Sequence, residues 1–162
     1  MNRLPEPIRR WSMFYKDLPQ THAQAIKLKL DEYEDSKYTP SYLDSRVWIE
    51  TYSVDVMKNL IGDVWKWSTS IDQLKYRKSK QLTDADKNYY QNEISRVRKI
   101  MRLIPVHGQW PYISHWAKNL QELYETTLEP TGEFSIPNHG DGWHRCIAAF
   151  ELKLPTIDIV FV

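Results

Sequence analysis

The segment from Gly140 to Arg145 combines residue types that can hold an anion. It reads Gly-Asp-Gly-Trp-His-Arg and lies between a short predicted strand and a predicted helix. Its glycines let a ligand approach the backbone, and the first N–H groups of a helix can donate to an anion. A guanidinium can hold phosphate through two parallel hydrogen bonds. The sequence therefore predicts a phosphate-binding turn made of Gly140, Gly142, Trp143, His144 and Arg145.

Two residues of this turn are also candidates for catalysis. Phosphoryl transfer uses cations that hold the phosphate, usually a divalent metal, and a carboxylate that orients or deprotonates the nucleophile. Asp141 is predicted to contact a metal, with Mg²⁺ as the expected ion, or to act as the base. His144 is predicted to donate to phosphate or to assist proton transfer, because imidazole titrates near neutral pH. A structural hydrogen bond is the alternative for His144, and a buried salt bridge is the alternative for Arg145.

A second group of residues could bind nucleic acid. Residues 66–102 carry ten basic and four acidic side chains, although the whole chain has 22 basic and 21 acidic ones. Basic side chains on the helix predicted before Pro105 could follow a phosphodiester backbone, which would make DNA or RNA binding dependent on salt. The residues concerned are Lys87, Arg98, Lys99 and Arg102. The alternative is that they form the solvated face of an amphipathic helix.

Periodicity and capping signals predict the elements that position these residues. The predicted helices cover 20–33, a segment after the N-cap Ser53, 84–104, and a segment from Pro111 to Tyr124. The predicted strands cover 46–50, 133–137 and 156–162. A helix joins the last two strands, which is typical of a crossover connection. We therefore expect an α+β fold with a small sheet and at least four helices.

Length and composition restrict the class of protein. With 162 residues, of which 41% are hydrophobic, the chain has the size and composition of one folded domain. The single cysteine, Cys146, cannot form an internal disulfide, and the first residues lack the apolar stretch of a secretory signal. No run approaches the roughly 18 apolar residues that a membrane span needs. These features predict a cytoplasmic protein with no membrane partner.

The sequence Asp-Gly-Trp-His-Arg-Cys-Ile-Ala-Ala over 141–149, followed by Leu-Pro-Thr-Ile-Asp-Ile over 154–159, resembles the ParB/sulfiredoxin superfamily. Members have a small α+β fold in which a Gly-x-His-Arg turn at a helix N-terminus binds a nucleotide phosphate. The similarity is to the branch with Asp-Gly-x-His-Arg, which includes free serine kinases and ParB-like ATPases or nucleases. The resemblance implies a small mixed sheet, a helical insertion over 66–130 and an N-terminal helical extension over 1–40.

The resemblance also implies a ligand and one further site residue. The ligand would be ATP or another nucleotide, and Glu50, at the end of the first predicted strand, would be a catalytic carboxylate. The alternative for Glu50 is a solvated carboxylate at a strand end. Trp143 stands where sulfiredoxins carry their reactive cysteine, so sulfinic acid reduction is not expected. We therefore predict a nucleotide-binding protein that transfers or hydrolyses phosphate. The alternatives are a non-catalytic DNA-binding or regulatory protein and a DNA nuclease.

Overall fold

The computed structural model describes residues 3–31, 45–114, 117–127 and 140–162. The strands are β1 (Arg9–Phe14), β2 (Arg46–Ser53), β3 (Tyr112–Ser114), β4 (Gly140–Asp141) and β5 (Thr156–Phe161). The helices are α1 (Gln20–Asp31), α2 (Val54–Asn59), α3 (Ile71–Ser79), α4 (Asp84–His107), α5 (Leu120–Thr127) and α6 (Trp143–Glu151). The fold is α+β, as the sequence predicts. None of the described helices has both the length and the apolar character needed to cross a membrane.

The described strands form one mixed sheet with β5 at its centre. Their order is β1-β2-β5-β3-β4. β2 is antiparallel to both β1 and β5, whereas β3 runs parallel to β5 and antiparallel to β4. Glu50 of β2 and Tyr112 of β3 both lie opposite Ile159 of β5. Because residues that lie opposite each other share a face, these three side chains project from the same side of the sheet.

Different helices cover the two faces of the sheet. One face carries Tyr52, Ile157 and Ile159 and packs against α2, α5 and α6. The other face carries Ile49 and Val160 and packs against α1. Successive residues of a strand point to opposite faces, so β2 and β5 are buried from both sides.

Helix α6 lies between the sheet and the antiparallel pair of helices α3 and α4. Cys146 packs into the core on the sheet side, whereas Ile147 and Ala148 pack with Leu74 of α3 and Val97 of α4. All five side chains are buried. Because α6 is apolar around most of its circumference, it can be enclosed in this way.

Side-chain caps begin two of the predicted helices. The Ser53 hydroxyl accepts a hydrogen bond of 3.2 Å from the N–H of Asp55 in α2. The Thr83 hydroxyl accepts one of 3.1 Å from the N–H of Asp86 in α4. Each cap pairs a backbone donor that the helix itself leaves without an acceptor. The predicted starts of both helices are therefore confirmed.

Helix α4 extends further than the predicted end at residue 104. It includes Pro105 and ends at His107, followed by Gly108 with a φ of +90°. A proline removes one backbone donor, yet the N–H of Gly108 still donates to the carbonyl oxygen of Ile104 over 2.9 Å. The glycine conformation, rather than the proline, ends the helix.

The helix predicted to begin at Pro111 is wrong. Residues Tyr112–Ser114 form β3, and the helix α5 begins only at Leu120. All three residues of β3 are buried, so the strand lacks the alternation of polar and apolar side chains that would have distinguished it from a helix. The region 66–130, predicted as a helical insertion, therefore also contributes a strand to the sheet.

Both ends of the described chain differ from the predicted arrangement. Residues 1–40, predicted as a helical extension, supply β1 as well as α1, and Trp11 and Met13 of β1 pack towards α1 with the spacing of a strand. The strands that flank α6 in the structure, β4 and β5, are antiparallel to each other and separated by β3, whereas the predicted crossover joins a strand over 133–137 to the last strand. The strand predicted over 133–137 lies outside the described residues.

Candidate functional site

The glycine at the start of α6 is held against the backbone of a neighbouring segment. Gly142 has a φ of +123° and precedes the first residue of the helix. A Cβ atom placed there would lie 3.1 Å from the Cα of Tyr112 and 3.4 Å from the carbonyl oxygen of Pro111. This side of Gly142 is therefore occupied by protein backbone. The need for glycine is explained by conformation and packing, whatever ligand the turn binds.

The next two residues of the turn are directed into the helical layer. The Trp143 indole N–H donates to the carbonyl oxygen of Ser68 over 2.9 Å, and its ring centroid lies 5.5 Å from that of Trp67. The His144 Nε2 contacts the carboxylate of Glu93 in α4. Burial lowers the pKa of His144, although the hydrogen bond and the charge of Glu93 act in the opposite direction. Both side chains therefore connect α6 to neighbouring segments.

Arg145 points in another direction. Its Nη1 donates to the carbonyl oxygen of Pro111 over 3.0 Å, and its Nη2 lies 3.6 Å from a carboxylate oxygen of Asp141. The guanidinium carbon is 5.2 Å from the centroid of the Trp110 ring. The predicted buried salt bridge is thus formed in part, while the same side chain also lines a cavity. The side chains of His144 and Arg145 make different contacts and do not form a common cradle around the turn.

The cavity that Arg145 reaches has a volume of about 670 Å³ and lies between α1, α4 and the start of α6. Three cationic side chains line it, together with a histidine and an aromatic ring: Arg96, Lys99, Arg145, His107 and Trp110. Ile100, Leu103 and Ile104 of α4 add apolar surface. No Asp or Glu belongs to the described lining. A cavity of this size with a surplus of positive charge can hold an organic anion.

Two of these cations are not neutralised by acidic partners within the described part of the chain. Neither Arg96 nor Lys99 forms a salt bridge with any described carboxylate, and both side chains are exposed. Their charges are therefore available to a ligand that enters the cavity.

The predicted catalytic carboxylates lie at two separate places. Asp141 forms the contact with Arg145 at the edge of the cavity. Glu50 is 3% exposed and accepts hydrogen bonds of 2.9 Å from the Tyr52 hydroxyl and from the N–H of Leu120. Its second oxygen lies 3.3 Å from Nε of Arg10. Glu50 is therefore buried rather than solvated, and it joins β1 and β2 to the first turn of α5.

The predicted basic face of α4 is divided by the structure. Lys99 lines the cavity. Lys87, Arg98 and Arg102 are exposed and do not line it. The spacing between Lys87 and Arg98 is close to three helical turns, so these side chains share one side of α4 with Arg102. Nucleic-acid binding by this side of α4 stays a prediction.

The magnesium prediction also stays a prediction. The described residues contain no group of three or more His, Cys, Asp or Glu side chains that could hold a metal. The charged group beside Asp141 is the Arg145 guanidinium, which is a poor neighbour for a cation.

The thiol of Cys146, next to Arg145 in α6, is buried. Burial raises the pKa of the Cys146 thiol to about 12, although the charge of Arg145 acts in the opposite direction. The thiolate is the reactive form of cysteine, so burial of Cys146 and the raised pKa of its thiol disfavour covalent chemistry there.

Sequence reasoning missed several residues of the cavity. His107, Trp110 and the α1 residues that complete it were not predicted as site residues. A signal was present in α4, where Arg96, Lys99, Leu103 and His107 follow the three- and four-residue spacing of one helix face. Basic and apolar residues mixed on one face are unusual for a helix that only covers a core.

Comparison of the chain with protein-family models, curated proteins and solved structures finds no match. The resemblance of 141–149 to the ParB/sulfiredoxin turn therefore stays an interpretation of that motif.

Proposed function

We propose that the protein binds a nucleotide in the cavity between α1, α4 and α6. The observation that carries this proposal is the convergence of Arg96, Lys99 and Arg145 on one cavity of about 670 Å³ whose described lining has no carboxylate. Phosphate groups are the most common anions that require several cations at once, and arginine matches their geometry.

The other side chains of the cavity favour a nucleotide over inorganic phosphate. Trp110 offers the edge or face of a large aromatic ring, and Ile100 and Leu103 offer apolar surface beside it. A purine or pyrimidine base has a flat apolar face that can contact such groups. Inorganic phosphate would use the cations and leave this apolar surface in water.

Phosphate transfer or hydrolysis is a further part of this proposal. Asp141 is the candidate base, because its contact with Arg145 places a carboxylate at the edge of the cavity. Phosphate release from ATP, measured on the wild-type protein and on Asp141→Asn, tests this part separately from binding. Release that is equal in both proteins would reject Asp141 as the base.

Calorimetric titration and thermal unfolding with ATP, GTP and inorganic phosphate test the binding proposal. A nucleotide present at about 100 times its Kd should stabilise the protein by about 2.7 kcal/mol, which raises the Tm by about 5–11 °C. Inorganic phosphate should bind more weakly than either nucleotide. Absence of a shift with every nucleotide would overturn the proposal.

Two double variants of α4 provide a matched comparison. Arg96→Ala with Lys99→Ala removes two cavity cations, whereas Arg98→Ala with Arg102→Ala removes two cations that do not line the cavity. The first should weaken nucleotide binding about 100-fold or more, because each hydrogen bond to a charged group contributes about 1.5–3 kcal/mol. The second should leave the Kd within about threefold. Equal losses in both would indicate nonspecific attraction and contradict the proposal.

A further inference from the structure

A second cavity lies between the end of α2, the segment that follows it and helix α3. Its volume is about 520 Å³. The chain here passes from α2 into a π-helical turn over Leu60–Val64, a local geometry that is frequent at functional sites. The charged side chains that line the cavity are Lys58, Lys66, Arg77 and Asp63. The surplus of two positive charges among the described lining indicates an anionic ligand.

One of these cations is kept in a conformation that glycine would adopt more easily. Lys66 has a φ of +59°, in the left-handed region, just after the π-helical turn ends. Hydrogen bonds hold it there: the N–H of Trp67 donates to Ile61 over 2.9 Å, and Arg77 donates to the Lys66 carbonyl oxygen over 2.8 Å. A lysine at a position suited to glycine carries a conformational cost. The cost is explained if the ammonium group has a role in the cavity.

Two aromatic rings line the same cavity. Tyr76 is 64% exposed, and Lys80 Nζ lies 5.1 Å from its ring centroid. Trp67 is partly buried and packs against Trp65 and Trp143, with ring centroids 5.4 and 5.5 Å away. Packing therefore holds the Trp67 ring in place. The Tyr76 ring is solvated, and a flat ligand that stacks on it would displace water.

We propose that this cavity binds single-stranded nucleic acid, with bases against Tyr76 and Trp67 and phosphates on Lys58, Lys66 and Arg77. Aromatic rings combined with a basic groove are the usual means of holding unpaired bases and their backbone. A duplex keeps its bases stacked inside and could not place them on Tyr76. An acidic peptide would contact the cations and gain nothing from the exposed ring. The site shares no described lining residue with the nucleotide cavity, so either proposal can fail alone.

Fluorescence anisotropy of a labelled twelve-residue oligothymidine tests the site. Lys66→Gly is the central variant, because it removes the charge and also relieves the left-handed conformation. Its Tm should equal or exceed that of the wild type, while the Kd should rise about three- to tenfold. The slope of log K against log salt should decrease by about 0.7, the value for one lost phosphate contact on a single strand. Lys75→Ala removes an exposed cation of α3 outside the cavity and serves as the control.

A second variant separates stacking from charge. Tyr76→Leu should raise the Kd about 5- to 150-fold, the range for loss of one stacked base, without altering the salt slope. An abasic strand of the same length and a polyglutamate peptide should both bind at least about fivefold more weakly than oligothymidine. The proposal is overturned if oligothymidine does not bind, if Lys66→Gly and Lys75→Ala weaken it equally, or if the abasic strand or the peptide binds as tightly. Loss of oligothymidine binding in the Arg96 and Lys99 double variant, with binding retained in Lys66→Gly, would show that the strand occupies the other cavity and would also overturn the proposal.

Discussion

Replacing Glu50 by alanine should destabilise the fold, because this buried carboxylate joins three elements. It accepts hydrogen bonds from the Tyr52 hydroxyl and from the N–H of Leu120, and it pairs with Arg10. Burial is the main cause that raises the pKa of Tyr52 above its ordinary value, and the charge of Glu50 and its hydrogen bond act in the same direction. The phenol therefore stays protonated and continues to donate its hydrogen bond. Removal of the carboxylate leaves two buried donors without an acceptor.

The expected loss in the free energy of unfolding follows from the burial of each partner of Glu50. Each hydrogen bond to the charged acceptor contributes about 1.5–3 kcal/mol, so the two together contribute about 3–6 kcal/mol. The ion pair adds at most about 1 kcal/mol, because the Arg10 side chain is 41% exposed and water screens its charge. For a chain of this length, a loss of about 3–6 kcal/mol lowers the Tm by roughly 6–24 °C.

Urea denaturation followed by tryptophan fluorescence and far-ultraviolet circular dichroism measures this loss. Tyr52→Phe removes one hydrogen bond and should cost about 1–3 kcal/mol, and Arg10→Ala should cost less than about 1 kcal/mol. The predicted order of destabilisation is therefore Glu50→Ala, then Tyr52→Phe, then Arg10→Ala. If Glu50→Ala is as stable as the wild type and loses ATP hydrolysis instead, the structural role assigned here is refuted and the catalytic one gains support.

Two further predictions concern the start of α6. Gly142→Ala should lower the free energy of unfolding by at least about 2 kcal/mol, because its positive φ is strained for alanine and the new Cβ would meet the Tyr112 backbone; unchanged urea denaturation would contradict this. Burial lowers the pKa of His144 below that of a histidine in the unfolded chain, although Glu93 opposes the shift. Protons therefore bind the unfolded chain more readily, and the free energy of unfolding should fall as the pH drops below about 6.5. His144→Gln should reduce this fall between pH 7.5 and pH 5.5, and an identical fall in both proteins would reject the assignment.

The sequence predicts those helices and strands whose capping residues and apolar periodicity agree with the way the element is buried in the fold. Ser53 and Thr83 supply cap signals that the structure retains, and the long apolar stripe of α4 predicts its core side. The segment around Tyr112 fails for a physical reason. A strand that is buried on both faces has no polar alternation, and a proline before it imitates the first residue of a helix.

The candidate site was less accessible to sequence reasoning than the fold. The spacing of His144 and Arg145 suggests that both serve one ligand, yet consecutive helical residues point in different directions, and each meets a different partner. The predicted role of Glu50 as a catalytic group depended on the family resemblance, which implies an acidic residue near this position. Its pairing with Leu120 depends on an element 70 residues away, and no local pattern reveals such a contact.

The central position of β5 has a consequence for how this protein is made. β5 comes last among the described elements along the chain, yet it separates β2 from β3. During synthesis, α3 and α4 can pair as soon as they leave the ribosome, but the sheet stays divided until residues 156–161 emerge. The nascent chain therefore exposes the unpaired edges of β2 and β3 from the time each strand emerges until β5 pairs with both. A chain shortened before β5 should accumulate as a chaperone-bound or aggregated species rather than as a smaller folded protein.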